Sequence, residues 1–156
     1  MQMNSSVQIF AISGVPDIRA GDQIDEILGE CLEASGGVAE NDILCIAHKI
    51  ISKAEGNVVR LSEIKPSEEA NRYALELNKK PEKVEVILSQ SKRVVRAFKH
   101  PKQNEGTMIC EHKLGFISAN AAVDESNSDF GTLVTLPDAP DSVSYTHLRA
   151  HETRTN

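Results

Sequence analysis

The stretch PSEEANRYALELNKKPEKVEVILSQSKRVVRAF, residues 66–98, decides the fold class, because it contains two helix signals in succession. Pro66-Ser67-Glu68-Glu69 starts the first helix and places acidic side chains where the helix dipole favours them. Pro81 starts the second, since proline has no N–H to lose at the first helical position. Apolar side chains recur at helical spacing after both starts. The residues that we expect to face inward are Ala70, Tyr73, Ala74, Leu77, Val84, Ile87 and Leu88.

Short apolar runs outside this stretch predict strands. Downstream, residues 108–111 and 116–119 flank Lys113-Leu114-Gly115, which is typical of a hairpin. Upstream, residues 57–61 predict another strand. The apolar run at residues 43–47 is continuous rather than alternating, so it predicts a strand buried on both faces.

The amino-terminal region predicts one more strand and one more helix. Residues 7–12 form a short β-branched run that leads into a tight loop. Asp22 is placed to cap the helix that follows, and the apolar stripe of that helix ends at Gly36-Gly37. The full order β-α-β-β-α-α-β-β predicts a mixed α/β or α+β domain, with helices packed on a mixed sheet.

Composition limits the classes of function. The chain has 156 residues, which is the size of one ordinary domain. Its formal charge of -6 argues against nonspecific binding to nucleic acid or to anionic membranes, because both need a basic surface. No apolar run is long enough for a membrane helix, and residues 1–6 lack a secretory signal pattern, so we expect a cytoplasmic protein. We expect Cys31, Cys45 and Cys110 to be buried, unpaired thiols.

The end of the chain differs from the rest. Residues 142–156 have no sustained period, turn net basic and resemble translated sequencing-adapter sequence. The chain therefore divides into residues 1–141, the amino-terminal part of a domain, and residues 142–156, a non-native tail that we expect to be unstructured. His147 and His151 have metal-ligand spacing with Glu152 beside them, but no third ligand accompanies them, so we expect no metal site there.

Three polar segments are candidates for function. The first, Gly14-Val15-Pro16-Asp17-Ile18, directly follows the strand that we predict at residues 7–12. Glycine and proline shape such a loop so that its backbone can face a flat ligand such as a purine. An ordinary turn between a strand and a loop is the alternative.

The second segment follows residues 43–47 and contains His48, Lys49 and Lys53. Ligands of α/β proteins tend to bind beyond the carboxyl ends of strands, and lysines there can hydrogen-bond phosphate oxygens. Two lysines four residues apart could therefore grip a polyphosphate. The alternative is a solvated turn, in which His48 is exposed rather than catalytic.

The third segment is Asn120-Ala121-Ala122-Val123-Asp124-Glu125-Ser126-Asn127. Asp124 can hold a hard divalent cation while Asn127 contacts the nucleotide that the cation accompanies. The same composition is common in surface loops, which is the alternative. Arg93 and Arg96 are candidates for binding an anionic substrate, or they belong to a solvated edge strand.

Together these segments resemble one family, the coenzyme F420 gamma-glutamyl ligases. The resemblance covers residues 7–140 and rests on the ordered motifs at residues 14–18, 50–56, 66–67, 93–96 and 120–127. It implies that Asp124 holds a divalent metal. The residues that it implies for GTP binding are Val15, Pro16, Asp17, Ile18, His48, Lys49, Lys53 and Asn127.

The resemblance also implies an activity. A ligase of this family uses GTP to join L-glutamate to a deazaflavin coenzyme precursor through an acyl phosphate. The implied cations are Mg²⁺ or Mn²⁺, with K⁺ in addition, and the full-length enzyme is expected to be a homodimer. No nucleic acid or membrane takes part.

Two departures from the family pattern stand inside the motifs. His48 stands where the family usually has a small hydroxyl residue, and Ala122 stands where it usually has glycine. The family's second metal-binding segment lies well beyond the position of Asp141, so we expect this chain to hold half of the site, to be inactive alone and to aggregate. The alternatives are a non-catalytic nucleotide-binding or dimerisation module, and an unrelated metal-dependent phosphotransfer enzyme.

Overall fold

The structure is a computed structural model that describes residues 7–140 and residue 142. The tail that we predict at residues 142–156 therefore lies outside the described residues, except for its first position. The helices are α1 Ile24–Ala34, α2 His48–Ala54, α3 Glu68–Leu77 and α4 Pro81–Ser89, with 3₁₀ turns at Leu61–Glu63 and Asn120–Ala122. The strands are β1 Val58–Arg60, β2 Ser91–Phe98, β3 Thr107–His112, β4 Ile117–Ala119 and β5 Thr132–Val134.

The strands of the described region form two antiparallel sheets. One sheet has the order β2-β3-β4, so it is a meander whose hairpin turn lies between β3 and β4. The other pairs β1 with β5, and Val58 lies opposite Val134. Helices and antiparallel sheets in one chain confirm the α+β class.

The main core lies between the three-stranded sheet and the pair α3 and α4. Leu77, Ile87 and Met108 are fully buried there. The cap of α3 is as the sequence predicts, because the side chain of Ser67 accepts a hydrogen bond from the Ala70 N–H at 3.2 Å. Pro81 is the first residue of α4, which confirms that helix start as well.

A second apolar cluster holds α1 and α2 together. Ile24 and Leu28 of α1 pack with Ala54 of α2 and with Ile18 from the loop at residues 14–18. The predicted end of α1 is confirmed, since the Gly37 N–H donates to the Leu32 carbonyl at 2.8 Å. This cluster brings two of the three candidate segments onto one part of the fold.

Two predicted strands are wrong. Residues 7–12 and 43–47 have no strand structure, and Ile9 and Ile43 are 93% and 88% exposed. A strand is stable only when its backbone groups pair with a neighbour, and no described strand pairs with either segment. The observed order is therefore α-α-β-α-α-β-β-β rather than the predicted one.

Two smaller predictions at the same end of the chain are also wrong. Asp22 does not cap α1: the cap position is Gln23, and the Asp22 carboxylate instead accepts a hydrogen bond from the Arg19 N–H at 2.8 Å. Only Cys110 is a buried thiol, because Cys31 is half-buried and Cys45 is exposed within the unpaired segment.

Among the described residues, no helix is both long enough and apolar enough to cross a membrane.

Candidate functional site

Helix α2 positions the two candidate lysines. We predicted that they lie at the end of a buried strand, but His48 is the first residue of a helix. Ser52 and Ala54 are buried, and Ile50 packs into the cluster shared with α1. Lys49 and Lys53 are four residues apart, so their side chains leave the helix on one face about one turn from each other.

The ammonium of Lys49 lies in a group of oxygen atoms from the third candidate segment. Its Nζ is 2.5 Å from Asp124 Oδ2 and donates to Ser126 Oγ at 2.7 Å and to the Ser126 carbonyl at 3.2 Å. The side chains of Lys49 and Asp124 are only 20% and 28% exposed. Segments 77 residues apart in the chain therefore meet at one partly desolvated cation.

Asp124 is held in place by its own backbone and by Ser126. Its N–H donates to the Val134 carbonyl at 3.0 Å and its carbonyl accepts from the Val134 N–H at 2.8 Å, which joins it to the end of β5. Asp124 Oδ1 accepts from the Ser126 N–H at 2.8 Å and from Ser126 Oγ at 2.7 Å. Partial burial raises the pKa of Asp124, but the hydrogen bonds from Lys49 and Ser126 outweigh it and lower that pKa to about 2.

Lys53 joins α2 to the first candidate segment. Its Nζ donates to Asp17 Oδ1 at 2.9 Å, and this hydrogen bond is the main reason why the pKa of Asp17 lies below its ordinary value. Ile18 is buried in the α1–α2 cluster and Val15 is half-buried against it, whereas Pro16 is exposed. The loop at residues 14–18 is thus anchored by its apolar side chains and presents its one polar side chain, that of Asp17, to Lys53.

The turn before Asp124 has an unusual backbone. Asn120, Ala121 and Ala122 are three consecutive residues with φ values of 50°, 50° and 56°. This left-handed region costs a residue with a side chain about 1–2 kcal/mol, whereas glycine adopts it freely. The φ of Ala122 explains why glycine suits this position.

The remaining candidate residues take no part in the contacts of Lys49, Lys53 and Asp124 described above. His48 is exposed at the start of α2, and Asn127 is exposed one residue after Ser126, with a φ of 52°. Arg93 and Arg96 lie on the edge strand β2, where Arg93 pairs with Glu111 at 2.7 Å and Arg96 lies 5.2 Å from the centre of the Phe98 ring. The structure thus gives both arginines partners within their own sheet.

Ser126 is a site residue that the sequence analysis missed. Its position two residues after an aspartate is typical of a turn in which the carboxylate accepts the later N–H, so the sequence did carry a signal. The ion pair between Glu125 and Lys83 of α4, at 2.6 Å, was also missed. Nothing in the local sequence connects those two residues, since they are 42 positions apart.

The oxygen atoms around Lys49 fit a hard divalent cation. A carboxylate, a hydroxyl and a carbonyl already surround one positive charge there, and Mg²⁺ uses such ligands together with the phosphates of its nucleotide. No group of three histidine, cysteine or acidic side chains within the described part of the chain could hold a metal ion. A cation bound at Asp124 would therefore take its other ligands from hydroxyl and carbonyl oxygens, from water or from the nucleotide.

Comparison with known proteins gives one consistent result. A family model described as F420-0:Gamma-glutamyl ligase matches residues 14–151. A relative from Methanothermobacter thermautotrophicus, named Coenzyme F420:L-glutamate ligase, is 38% identical over 144 residues, which are 92% of this chain and 55% of the relative. Relatives with the same name from Methanopyrus kandleri and Archaeoglobus fulgidus are 40% and 33% identical over 80% and 86% of this chain, and these matches cover 45% and 50% of the relatives. The chain spans about half the length of the curated relatives it matches.

Proposed function

Because this chain belongs to the F420-0:gamma-glutamyl ligase family, we propose that it supplies the GTP-binding part of a ligase that joins L-glutamate to coenzyme F420-0. One observation carries the proposal: two lysines on one face of α2 are each held by a carboxylate from a different candidate segment. An anionic ligand that displaces both carboxylates would meet two ammonium groups one helical turn apart. This spacing suits adjacent phosphates of a nucleotide.

The proposed nucleotide contacts follow from what each segment presents. Lys49 and Lys53 bind phosphate oxygens, and the loop Val15, Pro16, Asp17 and Ile18 lies beside Lys53 to receive the base or ribose. Asn127, at the far end of the same centre, contacts the nucleotide by its amide. His48 is exposed near Lys49 and has room to approach the phosphates, although its imidazole replaces the family's usual hydroxyl group.

Asp124 and Ser126 would hold the divalent cation, Mg²⁺ or Mn²⁺, that accompanies GTP. Such a cation neutralises charge on the transferred phosphoryl group when it is bound. The ammonium of Lys49 occupies the same oxygen atoms, so we propose that Lys49 moves from Asp124 to the phosphates as the nucleotide binds. The divalent cation then replaces the ammonium at Asp124, and the carboxylate is never left unpaired.

The reaction that we propose has two steps. A carboxylate oxygen of the coenzyme precursor attacks the γ-phosphorus of GTP, the bond to the β-phosphate oxygen breaks, and an acyl phosphate and GDP form. The amino nitrogen of L-glutamate then attacks the acyl carbon, loses a proton and displaces phosphate, which leaves the amide. Lys49 and Lys53 contribute by bringing positive charge to two anions that would otherwise repel each other.

The proposal extends to the whole protein. We propose a cytoplasmic homodimer that also uses K⁺ and in which the part of the relatives' length that this chain does not span completes the active site. Arg93 and Arg96 are then candidates for the carboxylates of a substrate, once their present partners are displaced. This chain alone would bind GTP without completing ligation.

Isothermal titration of this chain with GTP, with and without Mg²⁺, tests the nucleotide part of the proposal. We expect binding that is tighter with Mg²⁺. A chain that binds no GTP under either condition would instead support a scaffold without nucleotide. For the ligation step, glutamate-dependent release of GDP is measured on a chain extended to the length of its relatives, and GDP release that ignores glutamate would argue for a different phosphotransfer reaction.

A further inference from the structure

Four side chains form a continuous series of ion pairs beside the Asp124 turn, which we name the charge chain. Lys79 Nζ lies 3.0 Å from Glu105 Oε2, and Lys83 Nζ lies 3.0 Å from the same oxygen. Lys83 Nζ also lies 2.6 Å from Glu125 Oε2. Lys83 is therefore shared by two carboxylates, and the series ends at the residue next to Asp124.

The lysines of the charge chain are well removed from solvent. The side chains of Lys79 and Lys83 are 3% and 12% exposed, whereas those of Glu105 and Glu125 are 38% and 44% exposed. Burial lowers the pKa of Lys83, but its contacts with Glu125 and Glu105 outweigh burial and raise that pKa. A buried ammonium is stable only with such partners, so the burial of these lysines favours both contacts.

The charge chain joins the main core to the candidate site. Lys79 follows the end of α3, Lys83 lies in the first turn of α4, and Glu105 precedes β3. Lys83 belongs to a helix that packs into the main core, and Lys79 and Glu105 lie within two residues of elements that do so. Glu125 links these elements to the turn that contains Asp124, through its ion pair with Lys83.

Adjacent carboxylates of the turn are held by lysines from different helices. Asp124 meets Lys49 of α2, and Glu125 meets Lys83 of α4. These two ion pairs hold the turn from two sides. Asp124 is the carboxylate that lies beside Ser126, where a cation could bind, because Glu125 is held by Lys83. If the contact with Lys83 were lost, the turn could rotate and Glu125 could compete with Asp124 for a cation.

We propose that Lys83 is a positioning residue that holds Glu125 through the charge chain and so orients Asp124 toward the cation that accompanies GTP. This inference rests on the proposed function, because it concerns the same cation and nucleotide. Groups that orient a metal ligand without touching the metal commonly change metal affinity by about 10- to 100-fold when they are removed.

The double variant Lys83→Met with Glu125→Gln tests this inference, because it removes one positive and one negative charge and leaves the net charge unchanged. The measurement is the dissociation constant of GTP without Mn²⁺ divided by that with Mn²⁺, determined by titration calorimetry on the whole chain. This ratio isolates the contribution of the cation from general damage to the nucleotide site. We expect the ratio to fall about tenfold.

The exposed pair Glu69 and Arg72 on α3 gives a matched control. Its charged atoms are 3.4 Å apart and its side chains are 58% and 68% exposed. Glu69→Gln with Arg72→Met also removes one charge of each sign, and we expect the ratio to stay unchanged. Lys83→Arg keeps a positive charge that can reach both carboxylates. This single variant should therefore retain most of the ratio measured for the unsubstituted chain.

A second variant covers the case in which the double variant does not fold. Glu125→Asp keeps the charge at the exposed end of the charge chain but shortens the side chain by one methylene, which withdraws its carboxylate from Lys83. We expect the ratio to fall about threefold, in the same direction as for the double variant. An unchanged ratio in Glu125→Asp and in a folded double variant overturns the inference and leaves the proposed function standing. A ratio of one in the unsubstituted chain would overturn the proposed function itself, together with this inference.

Discussion

In the proposed site, the ammonium of Lys49 leaves Asp124 when the divalent cation binds there. Its ammonium holds Asp124 and Ser126 through three contacts, and each of these oxygen atoms is also a suitable ligand for a divalent cation. The lysine therefore competes with the cation for Asp124 and assists the nucleotide. A single substitution should separate these two roles.

Replacing Lys49 by methionine should change two affinities in opposite directions. Loss of a charged hydrogen bond of about 1.5 kcal/mol should weaken GTP binding about tenfold. Loss of the competing ammonium, about 1 kcal/mol for a partly exposed pair, should tighten Mn²⁺ binding about fivefold without nucleotide. Calorimetry measures the first constant, and the electron paramagnetic resonance signal of free Mn²⁺ measures the second.

Lys53→Met is the control for this prediction. Lys53 pairs with Asp17 and not with Asp124, so its loss should weaken GTP binding without changing Mn²⁺ binding. Weaker Mn²⁺ binding by Lys49→Met would contradict the exchange and would make Lys49 a support for the metal ligand.

Asp124 should also contribute to acid stability. Its folded pKa of about 2 lies below the ordinary 3.8, so its contribution is present above pH 4 and is lost as the pH falls through 2. The shift corresponds to about 2 kcal/mol. In Asp124→Asn, the free energy of unfolding from urea titrations should therefore decline less between pH 4 and pH 2 than in the unsubstituted chain. Parallel curves of unfolding free energy against pH for the two proteins would show that Lys49 and Ser126 do not stabilise the ionised carboxylate.

The 3₁₀ turn Asn120–Ala122 places three consecutive residues in the left-handed region shortly before Asp124. Ala122→Gly relieves a left-handed alanine at about 1–2 kcal/mol but gives the unfolded chain about 0.4–1 kcal/mol of additional entropy. We expect a net stabilisation of about 0.5–1 kcal/mol, measured by chemical denaturation.

Ala119 provides the matched position for that substitution. It lies three residues earlier with a φ of −69°, where glycine relieves no strain. Ala119→Gly should therefore destabilise the protein by about 0.5–1 kcal/mol. Destabilisation of similar size by both substitutions would mean that the turn is not strained at Ala122.

The elements that could be predicted from the sequence are those whose signals are local. Helix α3 follows its cap Ser67 and helix α4 begins at Pro81, because a cap and a proline act within one turn of the chain. The strand predicted at residues 43–47 is wrong, because an apolar run fits a strand whether or not a partner strand exists. Whether a strand pairs depends on residues far away in the chain, so the segment alone cannot predict it.

The same distinction applies to the candidate site. Lys49 and Asp124, which come from two different candidate segments, are in contact, although both candidate lysines lie on a helix rather than at the end of a strand. The contribution of Lys83 could not be predicted, because only the packing of α4 brings its ammonium to Glu125.

At the scale of the whole molecule, the candidate site takes its residues from elements that pack in different apolar clusters. Helix α2 packs in the α1–α2 cluster and carries both lysines, whereas Asp124 is joined to β5, whose Leu133 packs with Leu61 and Val86. The amino-terminal part also presents the segments 7–12 and 43–47 with large apolar side chains in solvent. Exposed apolar surface of this kind favours association between chains.

We expect this chain to self-associate through those segments. Ile9→Lys with Ile43→Lys should lower the weight-average sedimentation coefficient toward that of a monomer, because both side chains are nearly fully exposed and each gains a charge. Leu75→Lys is the control, since Leu75 is 88% exposed on α3 and lies outside both segments. If Leu75→Lys has the same effect, the segments 7–12 and 43–47 would not be the surface through which the chains associate.

The two carboxylates that hold Lys49 and Lys53 have a consequence for how ionic strength acts on the protein. A nucleotide that binds there replaces existing ion pairs instead of creating new ones, and dissolved salt screens the pairs that are broken as well as those that are formed. GTP affinity should therefore depend on salt concentration much less than two free lysines would lead one to expect.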